Sequence, residues 1–197
     1  MNVDETQLST SRKSTARIVC LVAALMVILP CLGLHWLRAP KNVDFGMSLL
    51  SIEACGGGDE GAERCESTSN LEIAKQMRKG KAGKGVFAYA GIATLILSVV
   101  AGLSLAAAGG LAYKDRFIRE PVALTTVALL SLCLALIAAC VFVAAKPPLP
   151  LGVSWPFFLY AAGVVTGIAG AQMLSKAYSQ VSDPYWDGIA PEPPGSV

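Results

Sequence analysis

The composition of this chain is typical of a membrane protein. Of its 197 residues 54% are apolar and only 15% are charged, the formal net charge is +2, and the mean hydropathy is +0.56. A soluble domain of this size rarely has so apolar a composition. We therefore expect the lipid bilayer to be its main partner, and we expect no nucleic acid.

Four long runs of the sequence contain no formally charged residue. Each has about 20 residues or more, enough at about 1.5 Å per residue to cross a hydrocarbon core of roughly 30 Å. We predict transmembrane helices over 18–37, 86–110, 122–145 and 152–175, joined by loops over 38–85, 111–121 and 146–151 and flanked by tails over 1–17 and 176–197. The predicted fold class is an all-α membrane protein, a four-transmembrane-helix bundle. We expect a flexible N-terminal tail, and no helix after Ser182, where prolines are frequent.

A cleaved signal peptide is the alternative for the first run. The basic residues Arg12, Lys13 and Arg17 precede it, as they would in a signal peptide. The run is longer than the hydrophobic part of such a peptide, and no small-x-small cleavage site follows it. We therefore expect an uncleaved first helix.

Two cysteines stand in the long loop, in the stretch "EACGGGDEGAERCE". Cys55 and Cys65 are the only cysteines outside the predicted spans, and the glycines between them allow a hairpin that a disulfide would close. Disulfides persist outside the cytosol, which predicts an extracellular loop and two cytoplasmic termini. The alternative is a pair of free thiols in a cytoplasmic loop. Charge does not decide between them, because the basic cluster from Lys75 to Lys84 opposes the basic residues near the termini.

The remainder of the long loop has the pattern of an ordered domain. The stretch "VDFGMSLLSIEAC" (Val43–Cys55) is rich in β-branched and apolar residues, which predicts one or two strands. The stretch "TSNLEIAKQMRKGK" (Thr68–Lys81) starts with helix-capping residues and places apolar residues among charges, which predicts a short helix before the second span. We expect a small disulfide-stapled domain that contains β-strands.

This arrangement resembles the claudins and the wider peripheral myelin protein superfamily over most of the chain, from 18 to 175. In that family a tryptophan ends the first span, and the motif G-L-W-x-x-C and a second cysteine follow in the long extracellular loop. Trp36 stands at the position of the first tryptophan, and Cys55 and Cys65 match the cysteine pair. Residues 50–52 read Leu-Ser-Ile in place of Gly-Leu-Trp. The resemblance implies a junctional adhesion or barrier function.

No pattern in the sequence indicates catalysis, a cofactor or a metal site. A membrane thiol oxidoreductase would need a redox pair, usually C-x-x-C, which is absent. His35 is the only histidine, so one chain cannot supply two histidine ligands to haem. Four cysteines lie in the predicted spans, where a thiol usually behaves as a small apolar group: Cys20, Cys31, Cys133 and Cys140. We expect His35 and Trp36 to anchor the chain at the outer membrane interface.

A small channel or transporter subunit is the second hypothesis. Ionisable side chains inside spans usually mark an ion path, and the predicted spans have none. A pore would have to form between the loops of several copies. Its lining charges would be Asp59, Glu60 and Glu63, or Lys75 and Arg78.

Small residues recur at every fourth position in two predicted spans. Such a stripe lets a second helix approach at backbone distance, either within the bundle or on a neighbouring protein. The stripes are Ala90, Thr94, Ser98, Gly102, Ala106 and Gly110 in the second span, and Gly163, Gly167 and Ala171 in the fourth. The sequence thus predicts a non-catalytic adhesion, barrier-forming or accessory subunit, a homo- or hetero-oligomer in a plasma or bacterial inner membrane.

Overall fold

A computed structural model describes residues 3–40, 44–57, 63–79, 85–111 and 119–186. Its helices are α1 (Val3–Ile28), α2 (Asn70–Lys79), α3 (Val86–Leu111), α4 (Arg119–Ala144) and α5 (Trp155–Trp186). Its strands are β1 (Leu37–Arg38), β2 (Asp44–Met47), β3 (Ser51–Gly57), β4 (Glu63–Ser69) and β5 (Gly152–Val153).

Four of the helices are long and apolar enough to cross a membrane, as the sequence predicts. The apolar stretches are Lys13–Cys31, Val86–Leu111, Ala123–Ala144 and Trp155–Ala177. The helices form a bundle in which α1 and α4 each pack against both α3 and α5. Leu103, Leu130 and Val165 point outward and are 61%, 63% and 67% exposed. Helices that are apolar on their outer as well as their inner faces are those expected in a membrane.

The first span ends earlier than predicted. The α-helix stops at Ile28 and continues as a short 3₁₀ turn, Leu29–Cys31, instead of reaching Leu37. Pro30 lies in that turn and has no backbone N–H to continue the helix. Gly33 then takes a φ of 78°, in the left-handed region that glycine adopts without a steric cost.

Both ends of the described chain are more helical than expected. α1 begins at Val3, so most of the N-terminal tail predicted over 1–17 is helical. α5 continues to Trp186, so the prediction of no helix after Ser182 is wrong for the residues up to that point. The predicted loop over 111–121 lies largely outside the described residues.

The two loops at one end of the bundle form a single antiparallel sheet. Its strand order is β4-β3-β2-β1-β5, so β1, from the long loop, pairs with β5, from the short one. In this register Leu37 lies opposite Met47 on one side and Val153 on the other. Because β5 occupies the predicted start of the fourth span, α5 begins only at Trp155. We call the sheet and α2 together the loop domain.

The strands and the helix predicted within the long loop are present. The stretch Val43–Cys55 contains β2 and β3, and the stretch Thr68–Lys81 contains α2. A tight turn joins β2 to β3. In it the Ser48 N–H donates to the Ser51 carbonyl oxygen at 2.8 Å, and the Ser51 N–H donates to Ser48 Oγ at 3.0 Å.

The loop domain touches the bundle through two glycines. A β-carbon at Gly91 of α3 would lie 2.3 Å from the Leu49 carbonyl oxygen, so only glycine admits this contact. Gly85, with a φ of 62°, precedes α3, and a β-carbon there would lie 2.7 Å from Ala74 Cβ of α2. The β2–β3 turn and α2 are therefore both packed at backbone distance on the start of α3.

Candidate interaction surface

The predicted disulfide between Cys55 and Cys65 is present and joins β3 to β4. The two residues lie directly opposite each other in the register, and their Cα atoms are 4.0 Å apart. A distance this short is typical of a non-hydrogen-bonded pair in an antiparallel ladder. The bridge therefore fixes the register between β3 and β4. The tip of this hairpin, 58–62, lies outside the described residues.

The sheet has one polar and one apolar face. Residues opposite each other in an antiparallel register share a face. One face carries Arg38, Gly46, Glu53 and Ser67, and we call it the polar face. The other carries Leu37, Met47, Ile52 and Thr68, of which the first three are buried. The rest of the protein covers Leu37, Met47 and Ile52, whereas Ala54 and Glu66, on the same face, are exposed. On the polar face Arg38 and Ser67 are exposed and Gly46 is buried.

His35 lies on the polar face of the sheet, and its role as a membrane anchor stays a prediction. Its Nε2 is 3.0 Å from Glu53 Oε2, an ion pair when the imidazole is protonated. The ring covers Gly46, where a β-carbon would lie 2.6 Å from His35 Cγ. The His35 carbonyl oxygen accepts a hydrogen bond from Ser154 Oγ. His35 therefore connects the segment before β1 to β3 and to the start of α5.

Trp36 is not an interfacial anchor, because its side chain is 0% exposed and therefore cannot lie at the membrane surface. Its indole Nε1 donates to the Pro30 carbonyl oxygen at 2.7 Å, and its ring centroid lies 4.8 Å from that of Tyr160. Its backbone N–H donates to Met47, and its carbonyl oxygen accepts from the Ser154 N–H, both at 2.9 Å. Trp36 therefore joins the sheet to the interior of the bundle. A tryptophan buried with its N–H satisfied is a core residue.

A groove of about 320 Å³ lies where the sheet, α2 and the segment between α4 and α5 meet. Its apolar lining is Phe45, Ile52, Ala54, Ile73, Pro147 and Leu149, and its polar lining is Glu66, Thr68 and Gln76. Lys146 precedes the lining residue Pro147, and its Nζ donates a hydrogen bond to the Leu151 carbonyl oxygen. That bond closes the connection from α4 to β5.

The small-residue stripe of α3 faces the interior of the bundle over most of its length. Four members are buried, and a fifth is partly buried: Ala90, Thr94, Ser98 and Gly102, then Ala106. A β-carbon at Gly102 would lie 2.5 Å from Ile28 Cδ1, so α1 is the helix that approaches here. The last predicted member, Gly110, is exposed, and a β-carbon there would meet nothing within 4 Å. A side chain at position 110 would thus contact no other described residue.

The stripe of α5 also meets other helices of the same chain. A β-carbon at Gly163 would lie 2.8 Å from Met26 Cβ of α1 and 3.1 Å from its carbonyl oxygen. At Gly167 it would lie 3.0 Å from Leu132 Cδ1 of α4. Ala171 is 0% exposed.

One buried hydrogen bond joins side chains across the bundle. Ser98 Oγ of α3 and Tyr160 Oη of α5 are 3.0 Å apart. Thr94 Oγ1 instead donates to the Ala90 carbonyl oxygen of its own helix at 2.8 Å. Both stripe hydroxyls thus have partners, as polar groups in a membrane interior require.

The titratable side chains do not form an obvious reaction centre. Within the described ranges, no three His, Cys, Asp or Glu side chains come together as a metal site would need. Cys20 and Cys31 are buried free thiols, and Cys133 and Cys140 are exposed free thiols on α4. Of the loop charges considered for a pore, Lys75 and Arg78 are exposed on α2. Asp59 and Glu60, and the side chain of Glu63, lie outside the described residues.

Sequence reasoning missed the pairing of His35 with Glu53 and the two closest glycine contacts of the loop domain, Gly46 and Gly91. A signal for the first existed. In the stretch from Ser51 to Cys55, polar and apolar residues alternate, which places Glu53 on the solvent face of a strand. Nothing local indicated that His35, outside any strand, would lie across that face.

The chain matches no known protein-family model and no curated protein. Its function is therefore argued from its own residues.

Proposed function

We propose that this chain is a non-catalytic, multi-pass membrane protein that acts as an adhesion, barrier-forming or accessory subunit. Its loop domain faces the outside of the cell, and both termini face the cytoplasm. It recognises another membrane protein, a second copy or a different chain, through the loop domain.

The observation that carries the proposal is a sheet built from both loops and attached to the bundle. β1 follows the end of α1, and β5 immediately precedes α5, so the sheet is covalently continuous with two spans. Trp36, buried against Tyr160, and Leu49, in contact with Gly91, attach it further. Recognition surfaces are typically displayed on a rigid scaffold that fixes their orientation. A flexible connection between spans would need none of these contacts.

The sheet has two edge strands, β4 and β5, and the β4 edge, which we call the free edge, is the part of this surface best suited to a partner. β4 has seven residues and pairs with β3 alone among the described strands. Since Cys55 and Cys65 form a non-hydrogen-bonded pair, the backbone N–H and C=O groups of Cys65 point away from β3, and those of Ser67 do the same two residues on. An edge with unpaired donors and acceptors can accept a strand from another chain.

The orientation rests on the disulfide. A bridge between Cys55 and Cys65 persists outside the cytosol and is rare inside it. In a background with serine at both positions, a cysteine introduced at Ser67 should react with a membrane-impermeant maleimide in whole cells, and one at Ser179 should not. The reverse pattern would place the loop domain in the cytoplasm and contradict the proposed orientation.

The resemblance to claudins agrees with this function. Trp36 and the bridged cysteines occupy the family positions, although residues 50–52 depart from the motif. The proposal therefore takes its architecture from the contacts of this chain, and the resemblance adds the adhesion or barrier class of function.

Affinity purification from native membranes in mild detergent tests the proposal. Wild-type protein should bring down a larger membrane complex. Ser67→Pro removes an outward backbone donor, a change that an edge strand tolerates, and should lose the complex. Ser67→Ala keeps that donor and should retain it. Both variants should keep the disulfide and the melting temperature of the bundle to within a few degrees.

Two outcomes would contradict the proposal. The first is a wild-type protein that purifies alone under every mild condition tried. The second is a steady ion conductance from the pure protein in planar bilayers, which would instead support the channel hypothesis.

A further inference from the structure

Helix α2 is held where the bundle enters the membrane. The apolar stretch of α3 begins at Val86, and the residue before it, Gly85, is in contact with Ala74 in the middle of α2. A β-carbon at residue 85 would lie 2.7 Å from Ala74 Cβ and 3.1 Å from the Ala74 carbonyl oxygen. The middle of α2 therefore lies beside the first residue of a span.

The N-terminal end of α2 lies at a similar depth. The Asn70 backbone N–H donates to the Leu50 carbonyl oxygen at 2.8 Å, and Asn70 Nδ2 donates to the Ser48 carbonyl oxygen at 3.0 Å. The turn that accepts these bonds also contains Leu49, which contacts Gly91 inside the span. Both the start and the middle of α2 are thus attached to the first two turns of α3. The helix lies near the boundary between membrane and water.

The outward side of α2 is mainly basic. Lys75, Arg78 and Lys79 are exposed, and Glu72 is the only exposed acidic residue of the helix. No described carboxylate lies within 4.0 Å of any of these three cations. Leu50, which accepts a bond from α2, is 46% exposed. Lys75, Arg78 and Lys79 thus have no carboxylate partner among the described residues, and Leu50 adds exposed apolar surface near the start of the helix. Exposed cations and exposed apolar surface are the two properties of a phospholipid-binding site.

We propose that the outward side of α2 binds the headgroups of acidic phospholipids. Lysine and arginine at a membrane boundary extend their charged ends to the headgroup layer while their methylene groups cover apolar surface. Each cation near an anionic surface contributes about 1 kcal/mol, roughly a fivefold change in affinity. The bound lipid headgroups lie between α2 and the rest of the membrane. They stabilise the contact between the loop domain and the bundle.

Native mass spectrometry of the full-length, delipidated protein tests this inference. The probe is an equimolar mixture of dioleoyl phosphatidylglycerol and dioleoyl phosphatidylcholine. Wild-type protein should retain phosphatidylglycerol in preference, and the preference should fall with added salt. The triple variant K75Q/R78Q/K79Q should lower it by about tenfold or more, given the contribution of each charge.

Two matched variants separate charge from structure. K75R/R78K/K79R keeps all three charges and should keep the preference, whereas Glu72→Gln removes the opposing charge and should raise it. Glutamine forms helix as well as lysine does, so the triple variant should remain folded, as an intact disulfide and an unchanged melting temperature would verify. Equal retention of both lipids by the wild type, or an undiminished preference in the triple variant, would overturn the inference. So would binding of soluble heparin at these residues with no lipid preference.

Discussion

The bundle and the loop domain are held together by different physical means. In the bundle, helices approach through small residues such as Gly102, Gly163 and Gly167, and a side-chain hydrogen bond between Ser98 and Tyr160 crosses between α3 and α5. The loop domain has a backbone ladder across five strands, a disulfide, and a contact between His35 and Glu53 that is an ion pair when the imidazole is protonated. Lipid tails are as apolar as leucine, so close packing must provide the association that water would otherwise drive.

We infer from this difference that function resides in the loop domain. In the bundle, the stripe hydroxyls have hydrogen-bond partners, and the closely packed glycines contact other helices of the same chain. These contacts stabilise the bundle itself. The loop domain, by contrast, leaves an edge strand and a polar face open. Substitutions in the bundle should therefore act by disturbing helix packing, and substitutions in the loop domain by removing the disulfide or changing its surface. Substitution of Trp36, which joins the two regions, should lower the stability of both.

The largest effect is expected at that joining residue. Trp36→Ala removes a fully buried indole, its ring contacts and its bond to Pro30, and should destabilise the protein by about 3–5 kcal/mol. Thermal unfolding in detergent should reveal lower stability of both regions. Trp155→Ala is the control, because that side chain is 61% exposed and its loss should cost far less. Similar melting temperatures for the two variants would mean that Trp36 does not couple the regions.

The next effect should be confined to the loop domain. Cys55→Ser with Cys65→Ser removes the bridge and should cost this domain about 2–5 kcal/mol, the range for small disulfide-bonded domains. Hydrogen exchange should then become faster in β3 and β4 and stay unchanged in α3 and α4. Faster exchange throughout the bundle would show that the two regions unfold as one unit and that the distinction drawn here is wrong.

A comparison of two glycines of α3 tests the importance of close packing. Gly91→Ala places a methyl group against the backbone oxygen of Leu49, which cannot rotate away, and should cost about 1–3 kcal/mol. Gly110→Ala meets open space and should be neutral or slightly stabilising, since alanine favours a helix. The melting temperatures of the two variants, measured in the same detergent, test this expected difference in stability. A neutral Gly91→Ala would mean that the β2–β3 turn does not rest on α3.

The smallest effect concerns the buried hydroxyls. Tyr160→Phe removes the bond to Ser98 and should cost about 0.6 kcal/mol, a typical value for hydrogen bonds between membrane helices. A double-mutant cycle with Ser98→Ala measures the coupling directly. A coupling above about 2 kcal/mol, beyond the range seen for such bonds, would point to a role for these hydroxyls other than packing.

The sequence predicted the number of spans because uncharged runs report membrane thickness directly. It predicted the disulfide and α2 from local signals, a cysteine pair in one loop and a capping sequence before an amphipathic stretch. It did not predict that the α-helix of the first span ends at Ile28, nor that Gly152–Val153 would pair with β1. Pairing between distant strands leaves no local pattern, and the uncharged run continues across both boundaries.

The role of Trp36 was missed for a related reason. A tryptophan at the end of a predicted span usually lies at the membrane interface, so composition alone favours an anchor. Its burial follows from ring contacts with Phe142, Phe157 and Tyr160, which are far away in sequence. The polar face could be read in part from alternation in β3, but His35 lies outside every strand.

The central claim is that the free edge of the loop domain is where a partner binds. Hydrogen exchange of the β4 backbone amides, measured at single-residue resolution, tests it most directly. The wild-type protein should be compared in its native complex and after separation from its partners. We predict that the outward amides of Cys65 and Ser67 exchange more slowly in the complex, while the amides of α3 do not change. Equal exchange of the β4 amides in the two states would contradict the account.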